Sequence, residues 1–234
     1  MLKNPAAQNP GPALAAALEL LIRQGYNSTP VEELADAAGV SRSTFFRKFG
    51  SKEDMVFADH ERLLARVEAD LASATGDPLT AVVEAALIVF DQYVRNRETS
   101  LLRNRLLHQE QTLRDRELVT THRYERSFRR HLQSALPEAG QEYGAVAFAA
   151  AVVAVHNRAL RQWLQEAEAG FNGRLDHEFT SRLGRELRSL VSIFRPSLLP
   201  SAVLEQPRPA VIVTVLDPGA GTDQILDAVR EALR

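Results

Sequence analysis

The chain has 234 residues, enough for one large domain or two smaller ones around a proper core. Its composition, 45% apolar and 25% charged, excludes wholesale disorder, and the lack of Cys excludes a disulfide framework, a thiolate metal site and a cysteine nucleophile. A net charge of −2, from 28 Lys and Arg against 30 Asp and Glu, argues on the scale of the whole chain against a nucleic-acid partner.

In chain order, the first ten residues are rich in Pro, Asn and Ala and read as an arm without the apolar segment of a signal peptide. Pro12 suits the first position of a helix, and residues 13–24 put Leu14, Leu18, Leu21 and Ile22 at helical spacing before Gly25 ends the run. Thr29 is expected to cap a second helix, with Pro30 in its first turn and Glu32 and Glu33 at the positive end of its dipole. Val31, Leu34, Ala35 and Ala38 form its inner face. Gly39 ends it, Ser41 caps a third helix running to Phe49, and Ser51 caps a long helix through residue 72.

Helices joined by turns this tight, with Gly at the sharp bend, are the pattern of a helix-turn-helix, whose second helix enters the major groove of DNA. On residues 41–49, Phe45 and Phe49 share an inner face with Val40, while Arg42, Ser43, Phe46 and Arg47 point outward. Two Arg, a hydroxyl and an aromatic suit guanine edges, phosphates and a thymine methyl. A solvated charged face has the same composition. Position and turn chemistry together favour the groove-reading face, and residues 40–52 hold Arg42, Arg47, Lys48 and Lys52 and no acid.

On Gly25-Tyr26, Thr29 with Val31, Leu34-Ala35, Ala38-Gly39-Val40-Ser41, Thr44-Phe45-Phe46, Phe49 and Ser51-Lys52-Glu53, the sequence resembles the tetracycline-repressor-like (TetR) family of bacterial transcription regulators. The resemblance covers about residues 13–56. It implies that Thr44 and Lys48 bond phosphates, that Lys52 clamps the DNA backbone, and that Arg42, Ser43 and Phe46 reach base edges; Thr29 and Arg47 complete the expected DNA-binding set. Two departures stand out: Phe46 occupies a position where the family usually has Tyr, and Ser43 one where it often has Gly.

Beyond the head, helices are expected at 77–94, 98–107, 112–136, 138–169 and 175–194, giving an all-α fold of about nine helices. The domain division is 1–50 for the arm and helix-turn-helix, 51–195 for an effector-binding and dimerisation bundle, and 196–234 for a linker and strand-helix extension. The longest uninterrupted Ala/Val/Phe run, residues 145–155, is too short to span a bilayer, so no membrane partner and a cytoplasmic location are expected. The helix holding that run is apolar nearly all round. It fits a central core helix of one subunit, and the resemblance implies instead a two-fold four-helix interface with the helix at 175–194.

Candidate effector contacts are aromatic or polar residues on these apolar helices: Phe90, Tyr93, Leu106, His108, Tyr124, Phe128, Phe148, Val152, His156 and Asn157, with Leu102 and Trp163 as further members. Ten Arg between residues 95 and 131 raise an anionic effector as an alternative to an apolar one, against the plainer reading of a salt-bridged face. At the C-terminus, residues 210–216 read as a buried strand and 222–233 as an amphipathic helix; the strand would need a partner, proposed as its own copy in a second subunit.

No Gly-rich phosphate loop, nucleophile elbow or metal-ligand spacing occurs, and the six His are scattered, so neither an enzyme, a metal site nor a cofactor is expected. The sequence thus reads as a homodimeric repressor released from a near-palindromic double-stranded DNA operator by a small-molecule effector. The alternative is a helical ligand-binding or scaffold protein without sequence-specific DNA binding.

Overall fold

The computed structural model describes residues 11–136, 142–170 and 173–199. The chain divides into two compact units, Met1–Leu199 and Pro200–Arg234. The strand and helix expected at 210–233 therefore lie outside the described residues, as does most of the expected linker.

Among the described residues all regular structure is helical. The order is α1 (Gly11–Gln24), α2 (Val31–Ala37), α3 (Arg42–Phe49), α4 (Lys52–Val56), α5 (Ala58–Ser73), α6 (Pro78–Arg95), α7 (Arg97–Gln109), α8 (Gln111–Ala135), α9 (Glu142–Glu168) and α10 (Gly173–Leu198). Two apolar clusters organise them. The first gathers Leu14, Leu18 and Leu21 of α1, Leu34 and Ala35 of α2, Phe45 of α3, and Met55 and Val56 of α4. The second is built on α5, α6, α8, α9 and α10, with Phe90, Phe148 and Trp163 fully enclosed. Each large side chain buried this way contributes roughly 1.5–3 kcal/mol.

The turn between α2 and α3 follows from Gly39. Its φ of +68° is left-handed backbone that strains any side-chain-bearing residue. The amide of Gly39 donates to Asp36 O at 3.0 Å and that of Val40 to Ala35 O at 2.9 Å, so two end carbonyls of α2 are satisfied within a single turn. Ser41 then caps α3, its hydroxyl accepting from the Thr44 amide at 3.2 Å.

Four expectations need correction. The single helix expected over 51–72 is two, broken at Phe57, where φ is −108° and ψ is 11°. Met55, Val56 and Phe57 are consecutive and all buried in the head cluster, whereas Leu63, Leu64, Val67 and Leu71 of α5 enter the body cluster. One straight helix cannot present three consecutive residues to one neighbour and its later stripe to another. The break reconciles the two.

Thr29 does not cap α2; Pro30 stands at that position, and the buried Thr29 hydroxyl donates back to Gly25 O at 2.8 Å. Helix α10 runs through Pro196, where the linker was expected to begin. Leu198 is fully buried and lies against Gly144 at the start of α9, where a Cβ would stand 2.5 Å from Leu198 Cδ2. That packing offsets the amide bond which Pro196 cannot make.

Finally, α9, at 27 residues, is long and apolar enough to match a membrane span, which the uninterrupted-run count did not anticipate. Its inner side nevertheless packs on α10, α8 and α6.

Candidate functional site

Helix α3 carries an outward face. Phe45 is fully buried and anchors the helix, its ring tilted against that of Phe49 with centres 5.1 Å apart. Arg42, Ser43, Phe46, Arg47 and Lys48 are exposed, and Thr44 is partly so. Phe46 is 39% accessible, an uncommon exposure for a large aromatic. The Arg42 guanidinium lies 5.0 Å from its ring centre while also bonding Glu32 Oε1 at 2.5 Å. Arg47 donates to the Thr44 hydroxyl at 3.3 Å, and Ser43 shares a hydroxyl contact with Ser41 at 3.1 Å.

The face thus presents two guanidinia, two hydroxyls and an apolar ring side by side. Lys52 and Thr29 are placed differently. The Lys52 ammonium donates to Tyr26 O and to Thr29 O (3.1 Å), above the Tyr26 ring at 4.5 Å, and burial lowers its pKa. It ties α4 to the loop between α1 and α2. Thr29 faces inward.

A second site is a cleft in the body with a cavity of about 30 Å³, so a ligand of ordinary size must open it further. Of the expected contacts, Tyr93, Tyr124, Phe128, His156 and Asn157 line it. The others are elsewhere. Phe90 and Val152 are core residues, Phe148 packs on Phe194, and Leu106 belongs to the head cluster. His108 sits on the surface, its Nδ1 2.7 Å from Asn104 O. Of the two further members, Leu102 joins the head cluster, and Trp163 donates its indole N–H to Asp176 Oδ1 at 2.7 Å.

Phe57, His60, Val89, Glu117 and Thr120 line the cleft without having been foreseen. They come from α5, α6, α8 and the joint between α4 and α5, so no local spacing in the sequence links them.

Behind His60, which lines the cleft, lies a polar cluster around Arg103, which is 3% accessible. Its guanidinium donates to Val56 O at 2.9 Å, to His60 Nε2 at 3.0 Å and to Asp59 Oδ1 at 2.5 Å. Burial would raise the Asp59 carboxyl, but Arg103 holds it down to about 2. Burial lowers His60 to about 4, with Arg103 acting in the same direction, and burial lowers His156 to about 4. Both rings are neutral at physiological pH. Burial also pushes the Tyr93 hydroxyl well above its usual range, so it stays protonated, 3.4 Å from His60 Nε2.

Helix α7 joins the two sites. Leu102, Leu106 and Leu107 pack into the head cluster beside α1, while Arg103 between them bonds the last carbonyl of α4 and the cleft residue His60. Sequence reasoning treated α7 as part of the body alone, because a helix whose leucines serve a neighbouring cluster looks like any other amphipathic helix.

The basic residues between 95 and 131 are largely engaged. Arg97 pairs with Asp176, Arg105 with Glu168, Arg116 with Glu53 and Asp54, Arg123 with Glu61 and Arg130 with Glu68. Arg114 bonds the carbonyls of Leu107 and His108. The salt-bridged reading of this stretch describes them.

Residues 13–58 match the family model of bacterial regulatory proteins, tetR family. Over this segment, about a fifth of the chain, the sequence is similar to the helix-turn-helix of DNA-binding transcription regulators. The chain is 43% identical over 70 residues to the HTH-type transcriptional regulator TcmR of Streptomyces glaucescens, over 28% of this chain and 30% of that protein. It is 31% identical over 99 residues to the HTH-type transcriptional regulator AcrR of Shigella flexneri, over 41% of this chain and 46% of that one. The matches thus span less than half the length of either relative. In fold, the chain is similar to MexZ, a key repressor responsible for antibiotic resistance in Pseudomonas aeruginosa. That likeness has a TM-score of 0.52 at 20% identity and covers 80% of this chain and 95% of MexZ.

Proposed function

We propose that the chain is a homodimeric repressor that reads a near-palindromic operator with α3 and is released when a small molecule occupies the cleft. The observation that carries the reading is the outward face of α3, where Arg42, Ser43, Phe46 and Arg47 stand exposed on a helix anchored by buried Phe45. Guanidinia at this spacing suit guanine edges and phosphates, and the Phe46 ring suits a thymine methyl. Arg42 must exchange Glu32 for DNA, a small cost because both partners are exposed.

Dimerisation is supported by α9. Its most apolar 18-residue window is only 39% buried within the subunit, and Ala147, Ala150 and Ala154 are exposed along one side, with Tyr143 at one end. Ile193 of the neighbouring α10 is also exposed, at 66%. A helix this apolar and this uncovered favours a second copy over a core role within one subunit. Two recognition helices also supply the base-pair coverage that one lacks.

The break at Phe57 changes how release would work. In place of the one long helix expected through residue 72, short α4 sits in the head and is held at its last carbonyl by Arg103. A ligand that favours another arrangement of His60 would act on α4 through Arg103, moving the head relative to the cleft; it must bind the two states unequally to do so.

The test is a mobility shift on DNA flanking the protein's own gene, across salt concentrations, with Arg42→Ala. Binding that weakens steeply with salt and falls at least tenfold in Arg42→Ala is expected. Absent or salt-insensitive binding would favour a helical ligand-binding protein without DNA function.

A further inference from the structure

The outward face of α3 is touched by an acid from another helix. Glu32 and Glu33 both stand exposed in the first turn of α2, where the helix dipole favours them. Of the two, Glu32 reaches α3: its Oε1 accepts from Arg42 Nε at 2.5 Å. The Arg42 guanidinium in turn lies 5.0 Å from the centre of the Phe46 ring. Carboxylate, guanidinium and ring thus follow one another from α2 onto α3. Glu32 therefore shares the surface that meets the bases, although it stands outside the recognition helix.

The charge of this carboxylate narrows what it can do. Its own backbone N–H, and then Arg42, hold the Glu32 carboxyl below the usual range, so it is ionised and only accepts. When Arg42 turns to a guanine, Glu32 loses its counter-charge beside the DNA phosphates. It then needs a donor.

Base edges in the major groove offer two, the N4 amino group of cytosine and the N6 amino group of adenine. Adenine sets N7, an acceptor, beside its amino group, and a carboxylate there meets a second lone pair. Cytosine carries no acceptor on that edge. Neighbouring base pairs are ~3.4 Å apart along the helix axis, close to the reach between bonded side chains such as these. With Arg42 filling the acceptors of one guanine, a carboxylate from the adjoining helix falls on the next pair.

We propose that Glu32 is a specificity-determining residue: Arg42 and Glu32 exchange one another for two adjacent G·C pairs, the guanidinium taking guanine O6 and N7 and the carboxylate accepting from cytosine N4 of the next pair. The proposal rests on the DNA-reading role of α3 and adds to it a residue of α2.

The experiment selects binding sites for the full-length protein from a random-sequence duplex library, comparing wild type with Arg42→Ala, Glu32→Ala and Glu33→Ala. Each wild-type half-site should contain a guanine next to a second G·C pair. Arg42→Ala should lose the guanine. Glu32→Ala should keep it and lose the preference at the neighbouring pair. Glu33→Ala removes the same charge from the same helix turn and should keep both. On the wild-type consensus duplex, replacing the neighbouring pair by T·A should weaken wild-type binding about tenfold, the usual size of a mismatch. Glu32→Ala should register the same replacement by no more than about twofold.

Both glutamates are exposed, so neither substitution enters the apolar cluster. Unchanged base preferences in Glu32→Ala, or the same loss in Glu33→Ala, overturn the proposal. So does an equal gain in affinity on every duplex, the mark of a carboxylate that only repels phosphates. A wild type that enriches no sequence removes the DNA-reading role of α3 itself, and the proposal with it.

Discussion

At the scale of single residues, Arg103 joins the cleft to the head. Its three hydrogen bonds go to Val56 of α4 and to Asp59 and His60 of α5, and its ion pair with Asp59 is enclosed on both sides. Removing one partner leaves a buried charge without compensation, so Arg103→Met should cost about 3 kcal/mol in denaturant unfolding. Adding Asp59→Leu should recover part of that loss, because the stranded carboxylate is then gone. A double variant no more stable than Arg103→Met would count against this account of the pair.

The two buried histidines make stability depend on acid. His60 faces Arg103, Asp59 and Tyr93; His156 faces Asn157, Phe90 and Tyr93. Both have folded pKa values of about 4 against an ordinary 6.5. Above pH 6.5 neither state binds protons there and the pair is neutral to stability. Between 6.5 and 4 the unfolded chain takes up protons that the folded chain refuses, so stability falls as pH falls, on the order of 1 kcal/mol per histidine for each pH unit. Asp59, held at about 2, acts only below its ordinary 3.8. Thermal midpoints from pH 7.5 to 4.5 should show the decline, and His156→Phe should reduce its slope; a flat profile would contradict the neutral assignment.

At the scale of elements, caps and turns explain why the head was readable. Gly39, Ser41 and Ser51 act on backbone within a few positions of themselves, and the structure uses each where the sequence placed it. A Cβ on Gly39 would meet no atom within 4 Å, so Gly39→Ala isolates the backbone penalty of a positive φ. A loss of about 1 kcal/mol is expected, with operator affinity reduced as the angle between α2 and α3 relaxes. An unchanged unfolding midpoint would show that the turn tolerates a left-handed Ala.

Thr29 and the joint at Phe57 were illegible for the opposite reason. Thr29 has the chemistry of a cap, but Tyr26, Thr29 and Lys52 converge in space and its hydroxyl is drawn toward Gly25. At Phe57 no Gly or Pro marks the break, because its cause is competition between two clusters for consecutive apolar residues.

At the scale of the whole molecule, the uncovered side of α9 has the clearest consequence. Ala150→Glu places a charge among exposed alanines without entering the subunit core. Sedimentation should show a shift from dimer to monomer at micromolar concentration, with folding retained by circular dichroism and operator affinity lost. A persistent dimer would place the interface elsewhere. Net charge belongs to this scale too, and there it misled: DNA responds to the field of one face, and α3 with Lys52 holds four cations and no acid within a chain of net charge −2.

The sequence by itself determined the helical class and the helix-turn-helix, because periodicity and capping are local and their residues lie within one or two turns of what they control. Only the tertiary structure decided the composition of the cleft, the attachment of α7 to the head and the split of the helix at Phe57. His60, Tyr93, Arg103, Glu117 and His156 lie on five different helices. Their protonation and pairing follow from burial and from one another, and no spacing along the chain encodes either.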